Sequence, residues 1–268
     1  AANIIKQEML AVGGDAVTPV GAVTCAAKYV DILLLGTLKH YKVLLKKMAQ
    51  MPYFGIPQAA ADLEMALTPQ KLCTTLADGR VLTYEKMCVM GILNVTPDSF
   101  YEGSRVPAME ELVERAGRML AAGAGVLDIG GESTRPGSDS VDGEEERRRV
   151  VPAIAALRKA YPDAVISIDT YRADTAEAAI AAGADIINDI SAMEADPRMA
   201  DVVVATKAPI ILMHMRGTPK NMQQNCEYKD VVQEVAVYLA QRAQLLRERG
   251  VSADKIILDP GIGFAKNV

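Results

Sequence analysis

Tryptophan is absent from this sequence and histidine occurs only twice, so no ligand site can rest on indole stacking and imidazole chemistry has little to work with. The four cysteines, Cys25, Cys73, Cys88 and Cys226, are scattered, with no Cys-x-x-Cys and no neighbouring histidine. That spacing argues against a zinc site and against a disulfide framework, and it leaves reduced thiols in a cytoplasmic protein as the expectation. Positive charge is not in surplus. A formal net charge of -5 argues against a nonspecific nucleic-acid binder. Phosphate stays within reach, because local arginines, helix N-termini or a divalent metal can supply the missing charge. No apolar run approaches the ~20 residues of a membrane span, and no signal peptide opens the chain. The first residues, Ala1-Ala-Asn-Ile-Ile-Lys6, lack Met, so further residues are expected upstream.

What is present is ordinary for a globular protein: 50% hydrophobic and 24% charged residues over 268 positions, enough for one α/β barrel or two smaller domains. Residues 1–69 read as a small α/β extension. Helices are expected from Ile4 to Val12, Leu38 to Met51 and Gln58 to Leu67, with a strand over Val30–Leu35. His40 lies among Lys39, Lys42, Lys46 and Lys47 and reads as a solvated surface residue. Residues 70–268 begin with a hairpin around Asp78-Gly79. Strands and helices then alternate. Apolar runs at Met87–Leu93, Val126–Ile129, Val165–Ile168, Ile186–Ile187, Pro209–Met213 and Lys255–Leu258 are separated by helical patterns at Met109–Ala122, Glu144–Ala160, Thr175–Ala182 and Tyr228–Arg249. Such alternation implies a parallel sheet.

Polar residues follow each run: Asn94, Asp128 with Glu132, Asp169, Asn188 with Asp189, His214 and Asp259. That placement predicts a TIM (β/α)8-type barrel with its site at the C-terminal rim. Six strands are visible where a closed barrel has eight, so the chain reads as a fragment, with an open doubly wound sheet as the alternative. An Asp at one strand end is as easily a helix N-cap as a ligand group. Three such Asp residues beside Asn94 and Asn188 favour a site for a planar ligand with several N–H and C=O groups. The loops Asn94–Arg105 and Gly130–Val141 are long, polar and each carry an arginine. They are expected to act as lids that order around an anion, with Thr134 and Arg135 contacting it and the Asn94 amide suited to Mg²⁺.

Six motifs in order carry a resemblance: Asn94-Val-Thr-Pro-Asp-Ser-Phe100, Asp128-Ile-Gly-Gly-Glu-Ser-Thr-Arg-Pro-Gly137, Ile168-Asp-Thr170, Ile187-Asn-Asp-Ile190, Leu212-Met-His-Met215 and Asp259-Pro-Gly-Ile-Gly-Phe264. From about Leu72 to Val268 the sequence resembles dihydropteroate synthase. The resemblance implies condensation of a hydroxymethyl-dihydropterin diphosphate with p-aminobenzoate, giving dihydropteroate and pyrophosphate. It implies that Asp169, Asn188 and Asp259 bind the pterin, with Met213 lining its pocket. Asn94 would ligate Mg²⁺, Thr134 and Arg135 would contact the diphosphate, and Phe264 would flank the aminobenzoate entrance. Asp169, Asn94 and Asp259 form the expected catalytic set. The family's remaining Lys and Arg-x-His pair come from two later strands, so a chain ending at Val268 is expected to show little activity by itself, and a homodimer stays open. Two other readings remain: a methyltetrahydrofolate–corrinoid methyltransferase and a non-catalytic pterin-binding protein.

Overall fold

The apolar runs become six parallel strands that lie side by side in chain order. The computed structural model describes residues 1–22, 24, 30–68, 72–95, 105–132, 141–217, 222 and 226–266, without the side chains of 105 and 106. The chain divides into two compact units, Ala1–Gln70 and Lys71–Val268.

The first unit packs helix α1 (Ala2–Ala11), strand β1 (Asp15–Val17), strand β2 (Leu33–Leu35), helix α2 (Leu38–Met48) and helix α3 (Ile56–Leu67). Its core is Ile5, Met9, Ala16, Leu44, Met48 and Ile56. The expected strand over Val30–Leu35 shortens to three residues paired antiparallel with Asp15–Val17. His40 departs from the expectation of a merely solvated residue. Its Nδ1 accepts from the Thr37 N–H at 3.3 Å while its own N–H donates to Thr37 Oγ1 at 3.4 Å, a reciprocal cap on α2.

The second unit opens with a hairpin, β3 (Cys73–Thr75) and β4 (Val81–Thr83), joined through Leu76–Arg80. Asp78-Gly79 therefore sits inside a five-residue connection, with Gly79 at φ +90°, and not in a two-residue turn. The parallel strands are β5 (Val89–Asn94), β6 (Ala124–Gly130), β7 (Ile166–Asp169), β8 (Ile186–Asp189), β9 (Ile210–Met213) and β10 (Ile256–Asp259). Between them run helices α4 (Arg105–Ala121), α5 (Gly143–Ala160), α6 (Ala173–Ala181), α7 (Met199–Thr206) and α8 (Val231–Glu248). Arg105, expected on a rim loop, is the first residue of α4. Helix α7 has no counterpart in the sequence reading. Its Val202-Val-Val204 run is β-prone, but Met199, Ala200 and Val203 bury one helical face and packing overrides propensity.

Side chains alternate across each strand, and the two faces meet different partners. Leu127, Ile129, Ile166, Ile168, Ile187, Ile210 and Leu212 face the helices and pack on residues such as Ile154, Leu157 and Met199. Val126, Val165, Ile186 and Ile211 face the other way and gather under Leu76 of the hairpin, forming an apolar floor. Two residues further along the same face, β6, β7, β8 and β10 turn polar, at Asp128, Ser167, Asn188 and Asp259, while β9 presents Met213. The barrel is not closed: β5 and β10 are the edge strands of the described sheet, and Ile92 and Leu258 on them are 58% and 47% exposed.

One glycine in this unit has no substitute. Gly261 follows β10 at φ +65°, and a Cβ there would overlap the carbonyl oxygen of His214. Gly261→Ala is expected to destabilise this unit by ~2 kcal/mol or more, combining left-handed strain with overpacking. Urea unfolding of parent and variant measures it; equal midpoints would contradict the close approach.

Candidate active site

Strand register sets the site. Asn94 pairs with Gly130, Gly130 with Asp169, and Asp169 with Asn188, so these four lie in one row across the sheet. All four belong to the face that carries the apolar floor, because each lies an even number of residues from Met90, Val126, Val165 or Ile186. One row nearer the floor, Asp128 pairs with Ser167. One row further out, Asp259 pairs with Met213. The result is a mouth lined by two carboxylates, two carboxamides and a hydroxyl, with Met213 and Asp259 at its far side.

Polar groups here are held short of partners. The Asn188 amide donates to Asp128 Oδ2 at 3.1 Å. Asp128 Oδ1, Ser167 Oγ and Asp169 Oδ1 are buried with no hydrogen-bond partner among the described residues. Leaving such an atom unpaired costs roughly 1–3 kcal/mol, so three together mark groups kept for a ligand. Burial pushes the Asp169 carboxyl well above the ordinary carboxylate range, and the nearby charges of Asp128, Glu146, Asp189 and Glu132 push the same way. Burial also raises Asp128, against the pull of its polar neighbours. The two acids face a shared space in which two negative charges repel, and a donor from outside would relieve both.

Gly130 keeps the row open. A Cβ at this position would lie 3.2 Å from Asn94 Oδ1 and 3.6 Å from Asp169 Oδ2, so both oxygens look onto the same small volume. No group of three or more His, Cys, Asp or Glu that could hold a metal occurs among the described residues. The donors present are oxygens. That set fits a hard cation such as Mg²⁺, which takes one or two protein oxygens and completes its shell with substrate phosphates and water.

At the far side, Met213 is 3% exposed and inward-facing. Asp259 Oδ1 accepts from the Gly261 N–H at 2.7 Å and so shapes its own loop. Lys266 holds that loop from beneath: Nζ donates to the carbonyls of His214 at 3.3 Å, Gly261 at 3.1 Å and Phe264 at 3.0 Å, and lies 3.0 Å from His214 Nδ1. Burial lowers the pKa of His214, with Lys266 adding to the effect. His214 is thereby kept as a neutral, packed residue, edge-on to Tyr238. Phe264 is half-buried on this loop.

The strand-end acids separate into two classes. Asp128, Asp169 and Asp259 face the mouth, whereas Asp189 faces the helices, fully buried, and accepts from the N–H groups of Ser191 at 2.8 Å and Met193 at 2.7 Å. Asp189 is a turn cap. Sequence reasoning marks Asp128 only as a polar strand end, and strand parity with Val126 is the signal that aims it inward. Lys266 carried no readable signal. Thr134 and Arg135, and the loop residues 96–104, lie outside the described residues.

Comparisons with known proteins agree on one family. The sequence profile described as pterin binding enzyme matches residues 90–268. The chain is 46% identical over 198 residues to the dihydropteroate synthase of Synechocystis sp., covering 74% of this chain and 67% of that protein. It is 40% identical over 266 residues to a probable bifunctional folylpolyglutamate synthase/dihydropteroate synthase of Halobacterium salinarum, covering 99% of this chain and 32% of that protein. The Burkholderia cenocepacia dihydropteroate synthase complexed with 7,8-dihydropteroate superposes with a TM-score of 0.64 at 43% identity, over 75% of this chain and 67% of that one. The chain thus spans about two thirds of the single-function relative and a third of the bifunctional one. With its inward acid–amide row and the profile match across the whole strand series, the chain belongs to the dihydropteroate synthase family of pterin-binding enzymes.

Proposed function

We propose that the chain carries the pterin-binding part of a dihydropteroate synthase, which joins 6-hydroxymethyl-7,8-dihydropterin diphosphate to p-aminobenzoate with release of pyrophosphate. The observation that carries this reading is the row of buried, unpartnered acceptors, Asp128 Oδ1 and Asp169 Oδ1, beside the Asn188 amide. A pterin ring offers N–H donors, which suit the unpartnered Asp128 Oδ1 and Asp169 Oδ1, and carbonyl and ring-nitrogen acceptors, which suit the Asn188 amide. Asp169, Asn188 and Asp259 hold the ring, with Asp128 behind Asn188 and Met213 against the ring face.

In the reaction the bond from the pterin methylene to the diphosphate oxygen breaks, and the arylamine nitrogen forms the new bond and gives up a proton. Positive charge spreads into the pterin as the diphosphate departs. The Asp169 carboxylate, set against the ring in a poorly solvated site, stabilises that charge. Asn94, with its oxygen facing the volume over Gly130, is the residue that would hold Mg²⁺. When bound, the metal neutralises the leaving diphosphate. Thr134 and Arg135 contact the same anion, and Phe264 borders the aminobenzoate entrance. No strong base is needed, which suits a site poor in histidine. The thiols of Cys73 and Cys88, neither in a disulfide, suit the reducing cytoplasm.

Incubation of the full-length protein with labelled p-aminobenzoate, the pterin diphosphate and Mg²⁺ is expected to give labelled dihydropteroate. Pterin binding without product would contradict a synthase. Asp169→Asn is expected to lower turnover by about 100-fold or more, the size of lost transition-state electrostatics. Stability responds in the opposite sense. Because the folded-state pKa of Asp169 is raised above its ordinary 3.8, ionisation favours unfolding once pH exceeds that value. The Asn variant should therefore match or exceed the parent in thermal stability at pH 7, and the gain should vanish as pH falls below 3.8. Unchanged turnover, or a variant that loses stability only at neutral pH, would remove Asp169 from this role.

A further inference from the structure

One half-buried amine closes the loop after β10. Lys266 curls back so that its Nζ donates to the carbonyls of Phe264 at 3.0 Å and Gly261 at 3.1 Å, within its own turn. The same Nζ reaches the His214 carbonyl at 3.3 Å, at the end of β9. His214 Nδ1 lies 3.0 Å away, and an ammonium offers only donors, so Nδ1 is the acceptor and Nε2 carries the ring hydrogen. Acceptors from two loops thus converge on one cation. An ammonium suits them, because its N–H groups turn freely on a flexible stem where a guanidinium would be confined to one planar fork.

The turn needs holding. Gly261, Gly263 and Ala265 all have positive φ, and Ala265 takes +50° while fully buried. A residue with a side chain keeps that conformation only where its surroundings impose it. Here the Phe264 N–H donates to the Gly261 carbonyl at 3.0 Å, and the Tyr228 hydroxyl donates to the Ala265 carbonyl at 2.9 Å. Lys266 secures the carbonyls at the start of the turn and just before Ala265.

The two ends of this loop are fixed differently. Asp259 belongs to the strand ladder. It pairs with Met213, its carbonyl accepts from the His214 N–H at 3.0 Å, and its Oδ1 accepts from the Gly261 N–H at 2.7 Å. Phe264 lies past the last strand pair, where the ladder gives no support. We propose that Lys266 is a positioning residue for the arylamine substrate. By drawing the His214, Gly261 and Phe264 carbonyls onto one ammonium, it fixes where Phe264 stands relative to the end of β9, at the aminobenzoate entrance. The inference deepens the synthase reading above and rests on it. Lys266 itself touches no substrate. Asp259 and the pterin row keep their places without it, because register holds them.

Steady-state kinetics of the full-length protein with Mg²⁺ test this, varying p-aminobenzoate and 6-hydroxymethyl-7,8-dihydropterin diphosphate in turn. The variants are Lys266→Met, Phe264→Ala and the two combined. Misplacing a group by about 1 Å costs up to about 100-fold, so Lys266→Met is expected to raise the KM for aminobenzoate about tenfold. The KM for the pterin diphosphate should stay within about twofold of the parent. Phe264→Ala should raise the aminobenzoate KM by itself, yet add less than about twofold in the Lys266→Met background, where the ring is already displaced. A loosened fold would instead weaken both substrates, and independent roles would multiply the two effects; either result overturns the proposal. So does an aminobenzoate KM that Lys266→Met leaves unchanged. If Lys266→Met does not fold, Tyr228→Phe, which removes the donor to the Ala265 carbonyl, takes its place. It must raise the aminobenzoate KM about threefold or more with the pterin diphosphate KM unchanged, and failure to do so overturns the proposal. A parent without turnover defeats the synthase reading, and this inference with it. A parent that turns over, matched by its variants, defeats Lys266's part alone.

Discussion

Register across the parallel strands is the constraint from which the rest of the second unit follows. In a parallel sheet a shift of one residue would exchange inner and outer faces. Here the pairing that seals Leu127, Ile129, Ile168 and Ile187 against the helices is the same pairing that turns Asp128, Asp169 and Asn188 inward. The helix-facing core therefore guards the polar row without touching it. Each of those aliphatic side chains stabilises the fold by roughly 1.5–3 kcal/mol when buried, which outweighs the roughly 1–3 kcal/mol lost at each unpaired acceptor. The fold tolerates unpaired acceptors at the mouth because its helix-facing side is so well packed.

Glycine and arginine handle what register leaves open. Gly130 interrupts the row of side chains and creates the volume shared by Asn94 and Asp169. Gly131 follows at the point where β6 meets α5, and a Cβ there would lie 2.8 Å from Val150 Cγ1. Arginines then tie loop ends to helices at both ends of the strands. Arg158 reaches the carbonyls of Ala164 at 2.7 Å and Gly183 at 2.9 Å and the Asp185 carboxylate at 2.6 Å, all at strand beginnings. Arg172 does the corresponding work at strand ends, reaching the carboxylates of Glu132 and Glu146 at 2.9 Å each and the Val141 carbonyl at 2.6 Å.

The strand series was legible because buried parallel strands read as short apolar runs, and the polar residue ending each run announced the rim. The inward aim of Asp169 and Asn188 follows from period-two alternation once the strands are set. The structural role of Asp189 was not legible, since adjacent Asn188 and Asp189 look alike in one dimension and only strand parity separates them. Helix α7 was missed because its valines favour a strand locally and are decided by packing. Arg172 and Lys266 escaped for a different reason: their partners are backbone carbonyls and carboxylates far away in the chain, for which no local pattern exists. His40 capping Thr37 was hidden by its lysine-rich surroundings.

The central claim is that the buried carboxyls facing the mouth are held above their ordinary pKa until a pterin supplies the missing donors. Titrating the aspartate side-chain carboxyls by carbon NMR, with and without 6-hydroxymethylpterin, tests it directly. The account predicts that Asp169 titrates well above 3.8 and Asp128 above it in the free protein, and that both shift downward when the pterin binds, because donated hydrogen bonds favour the ionised form. An ordinary titration that pterin leaves unmoved would contradict it.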